Sequence, residues 1–276
     1  MFKIINKLFY KLGKLISGFR NWYVIKICIT MNKSLYKGIN NVNFNPNTNG
    51  ELKILKKLKT LNLKVFFDVG ANIGEWTDLI LKEFDDTKIY QFEVLTKHQI
   101  FLKSKYSGNR NIIRNDFGFS NESTDIKIYF NDRFSSDSQA TAFPDLSQES
   151  EINYYSAFEI CKVHRADNYL SEMNIENIDF LKIDVEGNEL NILKGFGDQI
   201  KKVRIIQFEY GIYNIVTKDL LIDFFKFFKK YDYIIGKIFP NNVEFFEYSF
   251  DYENFLGANY IAVRRNDFEL IDLLKK

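Results

Sequence analysis

The chain has 276 residues, 46% hydrophobic and 17% aromatic, so it can bury one sizeable core, and we expect one main domain. Its two cysteines, Cys28 and Cys161, are isolated, which excludes a disulfide framework and a CxxC motif and predicts buried thiols in a reducing compartment. The net charge of +2 hides an asymmetry, because residues 1–50 hold eight Lys/Arg and no Asp/Glu, whereas the rest holds 30 Lys/Arg and 36 Asp/Glu.

The first 48 residues are predicted to form a basic amphipathic arm, separate from a domain over residues 49–276. Lysines alternate in this arm with apolar residues at helical spacing. The lysines are Lys3, Lys7, Lys11 and Lys14, and the apolar residues are Phe2, Ile5, Phe9, Leu12, Ile16 and Phe19. Because the lysines interrupt every apolar run, we expect neither a transmembrane helix nor a secretion signal.

Two interpretations of the arm stay open. Residues 1–20 can dock on an anionic membrane face, or they can cover the protein's own core and leave a solvated lysine face. A nucleic-acid surface is not expected, because the acidic body would repel phosphates. We therefore expect a cytoplasmic protein, with peripheral contact at the inner face of the membrane under the first interpretation.

The body alternates short β-rich runs with helical patterns, which is typical of a parallel α/β sheet. The predicted strands are residues 65–69, 88–93, 111–115, 178–184, 203–209, 233–239 and 259–265. The predicted helices are residues 50–61, 74–84, 96–106, 187–195 and 218–230. Right-handed crossovers would bring the carboxyl ends of the strands to one edge, where ligands bind in such sheets.

Residues 120–165 depart from this alternation. Strand-like TDIKIYFN and EICKVHRA flank the polar stretch SSDSQATAFPDLSQESE. We interpret the segment as an insertion over the ligand-binding edge, although its composition also fits a disordered surface loop.

The stretch FFDVGANIGEW, residues 66–76, joins the first strand to a helix through two glycines. Gly70 permits a tight turn and close approach of a ligand, and Gly74 lets the helix start against the strand. A dinucleotide site would have G-x-G-x-x-G here, but position 72 is Asn. The turn therefore favours a smaller ligand with a carboxylate near the helix N-terminus.

Glu93, at the end of the second strand, can accept hydrogen bonds from both hydroxyls of a ribose. The alternative is a solvated carboxylate at a strand end. Asp68 can reach an amino-acid end of the same ligand, so the pattern describes a nucleoside joined to an amino acid, which is S-adenosylmethionine. Asn72 in the turn and Asp116 after the third strand complete the candidate cofactor residues.

Residues 178–196, IDFLKIDVEGNELNILKGF, resemble the FkbM family of S-adenosylmethionine-dependent methyltransferases. DVGANIG, the Phe92–Glu93 pair and ADNYLSEM also match, so the resemblance spans about residues 60–210. It implies a class I methyltransferase fold, which is Rossmann-like α/β with a mostly parallel seven-stranded sheet flanked by helices. It also implies O-methylation, often of a sugar hydroxyl in a glycan or small natural product. The chain departs from the family pattern at Val94, where Pro is common.

Removal of a proton from a hydroxyl acceptor requires a base or a metal beside the cofactor. Asp184 and Glu186 follow the fourth strand, and we expect them to point the same way, with Asp184 facing the methyl group and Glu186 as base or acceptor anchor. The alternative is that they cap the next helix. Glu209 and His164 are further catalytic candidates, and His98 is expected on a helix surface.

Three alternatives for the chemistry of the site stay open. The three carboxylates can hold a divalent metal, but no spacing defines such a site. The strand, turn and ribose acid also occur in NAD-dependent oxidoreductases. A non-catalytic scaffold that binds the cofactor or a glycan is the third possibility.

Overall fold

A computed structural model of the protein describes residues 2–133, 139–144 and 154–276. Its chain divides into two compact units, residues 1–42 and residues 43–276. The first unit contains helix α1 (Phe2–Ile16), a 3-10 helix (Ser17–Phe19) and helix α2 (Tyr23–Ile39). Cys28 in α2 is exposed, so the prediction of a buried thiol is wrong there, whereas Cys161 is buried. Among the described residues, no helix has the length and apolar character needed to cross a membrane.

In the described residues, the second unit is built on a sheet of eight strands rather than the seven predicted. All seven predicted strands are present, within a residue or so of the expected bounds, because each is a β-rich apolar run. In chain order the strands are β1 (Val65–Val69), β2 (Lys88–Phe92), β3 (Ile112–Asn115), β7 (Ile178–Ile183), β8 (Val203–Tyr210), β9 (Tyr233–Ile238), β10 (Val243–Phe245) and β11 (Ala258–Arg264). The extra strand, β10, has only three residues, which is too few for a recognisable period.

The spatial order of the strands is β3-β2-β1-β7-β8-β11-β9-β10. β3, β2, β1, β7 and β8 are parallel, whereas β11 runs antiparallel to both of its neighbours, β8 and β9. β10 runs antiparallel to β9, so β11 and β10 are the reversed strands. This strand order confirms the expected class I methyltransferase fold. Strand order reverses between β1 and β7, so a ligand site is expected at their carboxyl ends.

Helices cover both faces of the sheet. On one face, one core cluster contains side chains of α6 (Ala166–Glu172), α7 (Glu189–Gly195) and α9 (Leu221–Lys230). On the other face, a second cluster contains side chains of α3 (Glu51–Leu58), α4 (Glu75–Glu83), α5 (Thr96–Lys105) and α10 (Phe268–Lys275). Successive side chains of β1 point to opposite faces of the sheet, since Phe67 belongs to the first cluster and Phe66 to the second. This burial on both faces explains the continuous apolar run of the central strand.

The segment between β3 and α6 forms a second, three-stranded sheet. β4 (Gly118–Ser120), β6 (Ala157–Arg165) and β5 (Thr124–Phe130) lie in that spatial order, with β5 antiparallel to β6. Of the polar stretch at residues 135–151, only residues 139–144 lie within the described residues. The remaining described helix, α8 (Tyr213–Thr217), lies between β8 and α9.

Candidate functional site at the carboxyl edge of the sheet

The turn after β1 is held by its own backbone. The amides of Gly70 and Ala71 both donate to the carbonyl oxygen of Phe92, at the end of β2. Gly70, Asn72 and Gly74 all have positive φ, which glycine adopts without strain and asparagine more readily than most other residues. The sequence G-A-N-I-G therefore satisfies the conformation of this turn position by position.

The two glycines are also required by the space around them. A Cβ at Gly70 would lie 2.0 Å from the carbonyl oxygen of Asp184, and one at Gly74 would lie 2.3 Å from the hydroxyl of Tyr106. The sequence predicts that a ligand approaches the backbone at Gly70. The contact with Asp184 already requires glycine at this position. The turn after β1 thus packs directly against the end of β7.

Glu93 is a buried carboxylate, only 7% exposed. Its Oε2 accepts a hydrogen bond from the amide of Asn72 at 2.7 Å, and its Oε1 accepts one from the amide of Leu95 at 2.9 Å. The alternative of a solvated strand-end carboxylate is therefore wrong. A carboxylate has about four lone-pair positions, so Glu93 keeps acceptor capacity for further donors.

His98 lies beside this carboxylate, with its Nδ1 3.6 Å from Glu93 Oε1. The sequence analysis expected His98 on a helix surface, but its side chain is only 2% exposed. The error arose because α5 shows little helical periodicity, so the sequence did not reveal which of its faces packs on the sheet.

Two buried acceptor atoms near the turn, Asp68 Oδ1 and Asn72 Oδ1, have no hydrogen-bond partner among the residues that the structure describes. The other oxygen of Asp68 accepts from the hydroxyl of Thr77 at 2.7 Å. Burial raises the pKa of Asp68, and the attraction of Lys182 works against that rise. Buried polar atoms are nearly always paired, so these two acceptors fit a ligand that brings donors.

The remaining cofactor candidate, Asp116, is exposed and follows β3. His164 is not between strand and helix as expected but lies within β6, in the second sheet. Its ring packs edge-on against Phe117, with ring centroids 4.6 Å apart. His164 thus belongs to the neighbourhood of Asp116, whereas the other three catalytic candidates come from the turn after β7 and from β8.

Asp184, Glu186 and Glu209 meet at one point of the sheet edge. One carboxylate oxygen from each residue lies within 4.8 Å of those of the other two, and all three side chains are partly exposed. We call these three residues the acidic trio. Hard divalent cations prefer oxygen ligands, so the acidic trio has the donor chemistry to hold one.

Glu186 does not reach the acidic trio by strand alternation, as the sequence analysis assumed. β7 ends at Ile183, and Glu186 has a φ of 56°, in the left-handed region. The turn is held by the carboxylate of Glu189, which accepts hydrogen bonds from the amides of Val185 and Gly187. Glu189, rather than Asp184 or Glu186, therefore satisfies the amides at the start of α7.

The carboxylates here have raised pKa values. Burial is the main cause of the raised pKa of Glu186, followed by repulsion from Glu209 and Asp184. Burial is also the main cause of the raised pKa of Glu209, followed by repulsion from Asp184 and Glu189. Burial raises the pKa of Glu189 to about 7, against the effect of its backbone hydrogen bonds. Crowded, partly desolvated carboxylates of this kind hold protons close to neutral pH.

Lys182 is a functional candidate that the sequence analysis missed. Its Nζ lies 2.8 Å from Asp184 Oδ2, and its side chain is almost entirely buried. Burial lowers the pKa of Lys182, but attraction to Asp184, Asp68 and Glu51 outweighs it, so the net shift is upward and the ammonium stays charged. A lysine two positions before Asp184 in an apolar strand was the available signal, since such residues share a face.

Aromatic side chains lie close to two glycines, Gly187 next to Glu186 and Gly257 near the Glu209 carboxylate. A Cβ at Gly187 would lie 2.9 Å from Cβ of Tyr213 and 3.1 Å from the ring of Phe143. A Cβ at Gly257 would lie 3.0 Å from Glu209 Oε1 and 3.5 Å from the ring of Phe44. The described part of the polar stretch also reaches this point, because the hydroxyl of Thr141 donates to the carbonyl of Glu186 at 2.6 Å.

The sequence profile described as the methyltransferase FkbM domain matches residues 68–235. This match covers more than half of the chain and includes the turn after β1, Glu93 and the acidic trio. A search of curated proteins found no match.

Solved methyltransferase structures are similar to the chain at low identity. One is the methyltransferase FkbM from Methylobacillus flagellatus KT, with 16% identity, a TM-score of 0.47 and coverage of 73% of this chain and 44% of that one. This chain thus spans less than half the length of that protein. Another is the O-methyltransferase from Bacillus cereus in complex with SAH, with 10% identity, a TM-score of 0.43 and coverage of 92% and 97%. A third is the O-methyltransferase TomG from Streptomyces achromogenes in complex with SAM, with 8% identity, a TM-score of 0.43 and coverage of 77% and 78%.

Proposed function

Since the chain belongs to the FkbM methyltransferase family, we propose that it is an S-adenosylmethionine-dependent O-methyltransferase whose acceptor is a sugar hydroxyl of a glycan or small natural product. One observation carries the proposal. The turn after β1 packs against the end of β7, so that the candidate cofactor residues and the acidic trio share one edge of the sheet.

The residues around the turn have the chemistry to hold the cofactor. Glu93 keeps lone pairs for the two ribose hydroxyls after accepting from Asn72 and Leu95. Asp68 Oδ1 and Asn72 Oδ1 are buried acceptors without partners in the described part of the chain, which suits the ammonium group at the amino-acid end. When bound, S-adenosylmethionine supplies a methyl group that its sulfonium sulfur already activates.

The acidic trio supplies the other requirement, a place for the acceptor's proton. Asp184 is paired with the buried Lys182, which holds its carboxylate in place to orient the acceptor hydroxyl. Glu186 and Glu209 have raised pKa values, which matches a base that must work near neutral pH. We assign the role of accepting the hydroxyl proton to Glu186 and Glu209 jointly, because interacting carboxylates titrate together.

A sugar acceptor is supported by the mixed lining of this point. Carboxylates accept hydrogen bonds from hydroxyl groups, while Phe143, Tyr213 and Phe44 offer flat apolar surface beside them. Alignment of the acceptor oxygen with the methyl group accounts for much of the rate in a displacement of this kind. The aromatic rings and Asp184 would provide that alignment.

The first test is calorimetric titration with S-adenosylhomocysteine. We expect the native protein to bind it and Glu93→Ala to bind it about 10- to 100-fold more weakly, because two hydrogen bonds to a charged group are lost. Glu172→Ala, at an exposed position of α6, is the matched control and should bind normally. A native protein that binds nicotinamide dinucleotide but not S-adenosylhomocysteine would contradict the cofactor assignment.

Glu93→Gln separates recognition from folding, because its amide oxygen can still accept from one of the two amides that Glu93 holds. A normal thermal transition with weakened binding is the expected result. The acceptor class is then tested by methyl transfer from labelled S-adenosylmethionine to a panel of glycans, amines and thiols. Transfer only to amines or thiols would contradict the sugar assignment and leave the cofactor assignment intact.

A further inference from the structure

The unit formed by residues 1–42 carries an unusual amount of apolar surface that is exposed. Sixteen large hydrophobic side chains between Ile4 and Ile39 are exposed, among them Ile4 at 75%, Leu8 and Phe9 at 65% and Leu15 at 74%. No residue of α2 is buried. Isolated apolar residues on a surface are normal, but a contiguous patch of this extent indicates an interaction site.

The apolar residues of α1 form a single stripe. Wound at 3.6 residues per turn, Ile4, Ile5, Leu8, Phe9, Leu12, Leu15 and Ile16 fall within an arc of about 140°. Lys3, Lys7, Lys11 and Lys14 fall within an arc of about 80° on the other side. The helix thus separates an apolar face from a cationic face almost completely.

Helix α2 repeats the same arrangement. Lys26, Lys33 and Lys37 fall within about 40° of one another, opposite an arc of about 120° that holds Val24, Ile27, Met31, Leu35 and Ile39. The junction between the helices carries three exposed aromatic residues, Phe19, Trp22 and Tyr23. Aromatic side chains with a polar group favour the boundary between lipid and water.

The charge of this unit selects the partner. Residues 1–50 contain eight Lys/Arg, and no Asp or Glu occurs before Glu51, whereas the rest of the chain is net acidic. The same face of a second copy would bring like charge and would be repelled, and the acidic body of a second copy would offer charge but no apolar layer for the stripe. An anionic lipid surface offers both negative headgroups for the lysines and an apolar layer for the stripe.

We propose that α1 and α2 bind the surface of an anionic membrane, lying parallel to it with their apolar faces in the lipid and their lysines at the headgroups. Because no described helix can cross a bilayer, this contact is peripheral. The proposal does not depend on the cofactor or on the acceptor, so it stands or falls separately from the proposed methyl transfer.

The test is flotation of the full chain with two kinds of vesicle, phosphatidylcholine alone and phosphatidylcholine mixed with phosphatidylglycerol. We expect binding to the anionic vesicles, weaker at high salt, and little binding to the neutral ones. A variant with Lys3, Lys7, Lys11 and Lys14 changed to Gln should lose at least about tenfold in partition coefficient, because each lysine adds attraction near the surface. The matched control changes four exposed lysines of the body to Gln, namely Lys56, Lys59, Lys103 and Lys229.

A second readout places the contact in the arm. Trp22 is 62% exposed and Trp76 is 5% exposed, and these are the only two tryptophans. We expect anionic vesicles to shift tryptophan emission to the blue in the native chain, and Trp22→Phe to abolish this shift because Trp76 is already buried. Circular dichroism and thermal unfolding would verify that each variant is folded.

Three results would overturn the proposal. One is failure of the native chain to bind anionic vesicles. This includes the case in which the chain forms dimers or binds nucleic acid instead. Another is equal loss of binding in the arm variant and in the body control. The third is a blue shift that persists in Trp22→Phe, since it would place the membrane contact in the body.

Discussion

Two groups of carboxylates lie at the same edge of the sheet and are treated differently by the fold. Glu93, after β2, is held by the amides of Asn72 and Leu95. The carboxylates of Glu186 and Glu209 accept no hydrogen bond from any residue that the structure describes. Burial and repulsion from neighbouring carboxylates raise the pKa of both. A carboxylate held by amides offers a constant set of acceptors for recognition, whereas crowded carboxylates without donors can exchange protons.

The largest expected effect comes from neutralising the acidic trio. Glu209→Gln should lower kcat by about 10²- to 10⁴-fold, the usual contribution of proton transfer. Asp184→Asn should lower kcat by about 10²-fold, because the acceptor hydroxyl loses its alignment. Both variants should keep affinity for S-adenosylhomocysteine within about threefold of the native value. Steady-state kinetics and calorimetry on the same preparations measure the two quantities.

Asp179→Asn is the matched control for this prediction. Asp179 lies at the opposite end of β7, where it accepts hydrogen bonds from the amides of Lys64 and Val65. The kcat of the Asp179→Asn variant should stay within about threefold of the native value, provided that the variant folds. If Asp184→Asn instead lost cofactor affinity and kept kcat, both carboxylate groups would serve recognition and the contrast between them would be wrong.

A second prediction concerns stability as a function of pH. The pKa of Glu189 is about 7 in the folded protein, above the usual 4.5, so the group's contribution to stability is fully present below pH 4.5 and is lost as pH rises through 7. In Glu189→Gln this dependence disappears, while Gln can still accept from Val185 and Gly187. The difference in unfolding free energy, native minus variant, should therefore fall by about 3 kcal/mol across this window.

Urea unfolding at several pH values between about 4 and 8 measures this difference. Glu172→Gln, at an exposed position, is the control and should follow the native protein throughout. Parallel native and Glu189→Gln curves would show that Glu189 is ionised without cost and would contradict this prediction.

The smallest expected effect tests the contact that joins the two carboxylate groups. Gly70 and Gly108 have nearly the same φ, 84° and 80°, but a Cβ would lie 2.0 Å from the carbonyl oxygen of Asp184 at Gly70 and would meet nothing within 4 Å at Gly108. Gly108→Ala should cost about 1–2 kcal/mol for the left-handed backbone alone. Gly70→Ala should cost roughly 2 kcal/mol more, because β7 must move away.

Thermal or chemical unfolding of the two alanine variants gives this comparison directly. Gly70→Ala should also lower kcat, because the displaced atom belongs to Asp184, whereas Gly108→Ala should not. Equal destabilisation of the two variants would mean that the turn after β1 and the end of β7 do not depend on each other.

The sequence alone predicted much of the scaffold for local reasons. The strands of the main sheet were recognisable because burial on both faces requires β-rich apolar runs. The turn after β1 was recognisable because positive φ calls for Gly70, Asn72 and Gly74. Family motifs added the class I methyltransferase fold.

Long-range packing decided the rest. Glu209 joins Asp184 only because β8 pairs with β7, and Glu186 joins them only because the turn before α7 takes a left-handed residue. Burial of His98 and the pairing of Lys182 with Asp184 depend on which face of each element meets the sheet. Side-chain period identifies the element and its faces, but the electrostatics of a site arise from atoms that are distant in the chain, so only the tertiary structure could bring out the contrast between Glu93 and the acidic trio.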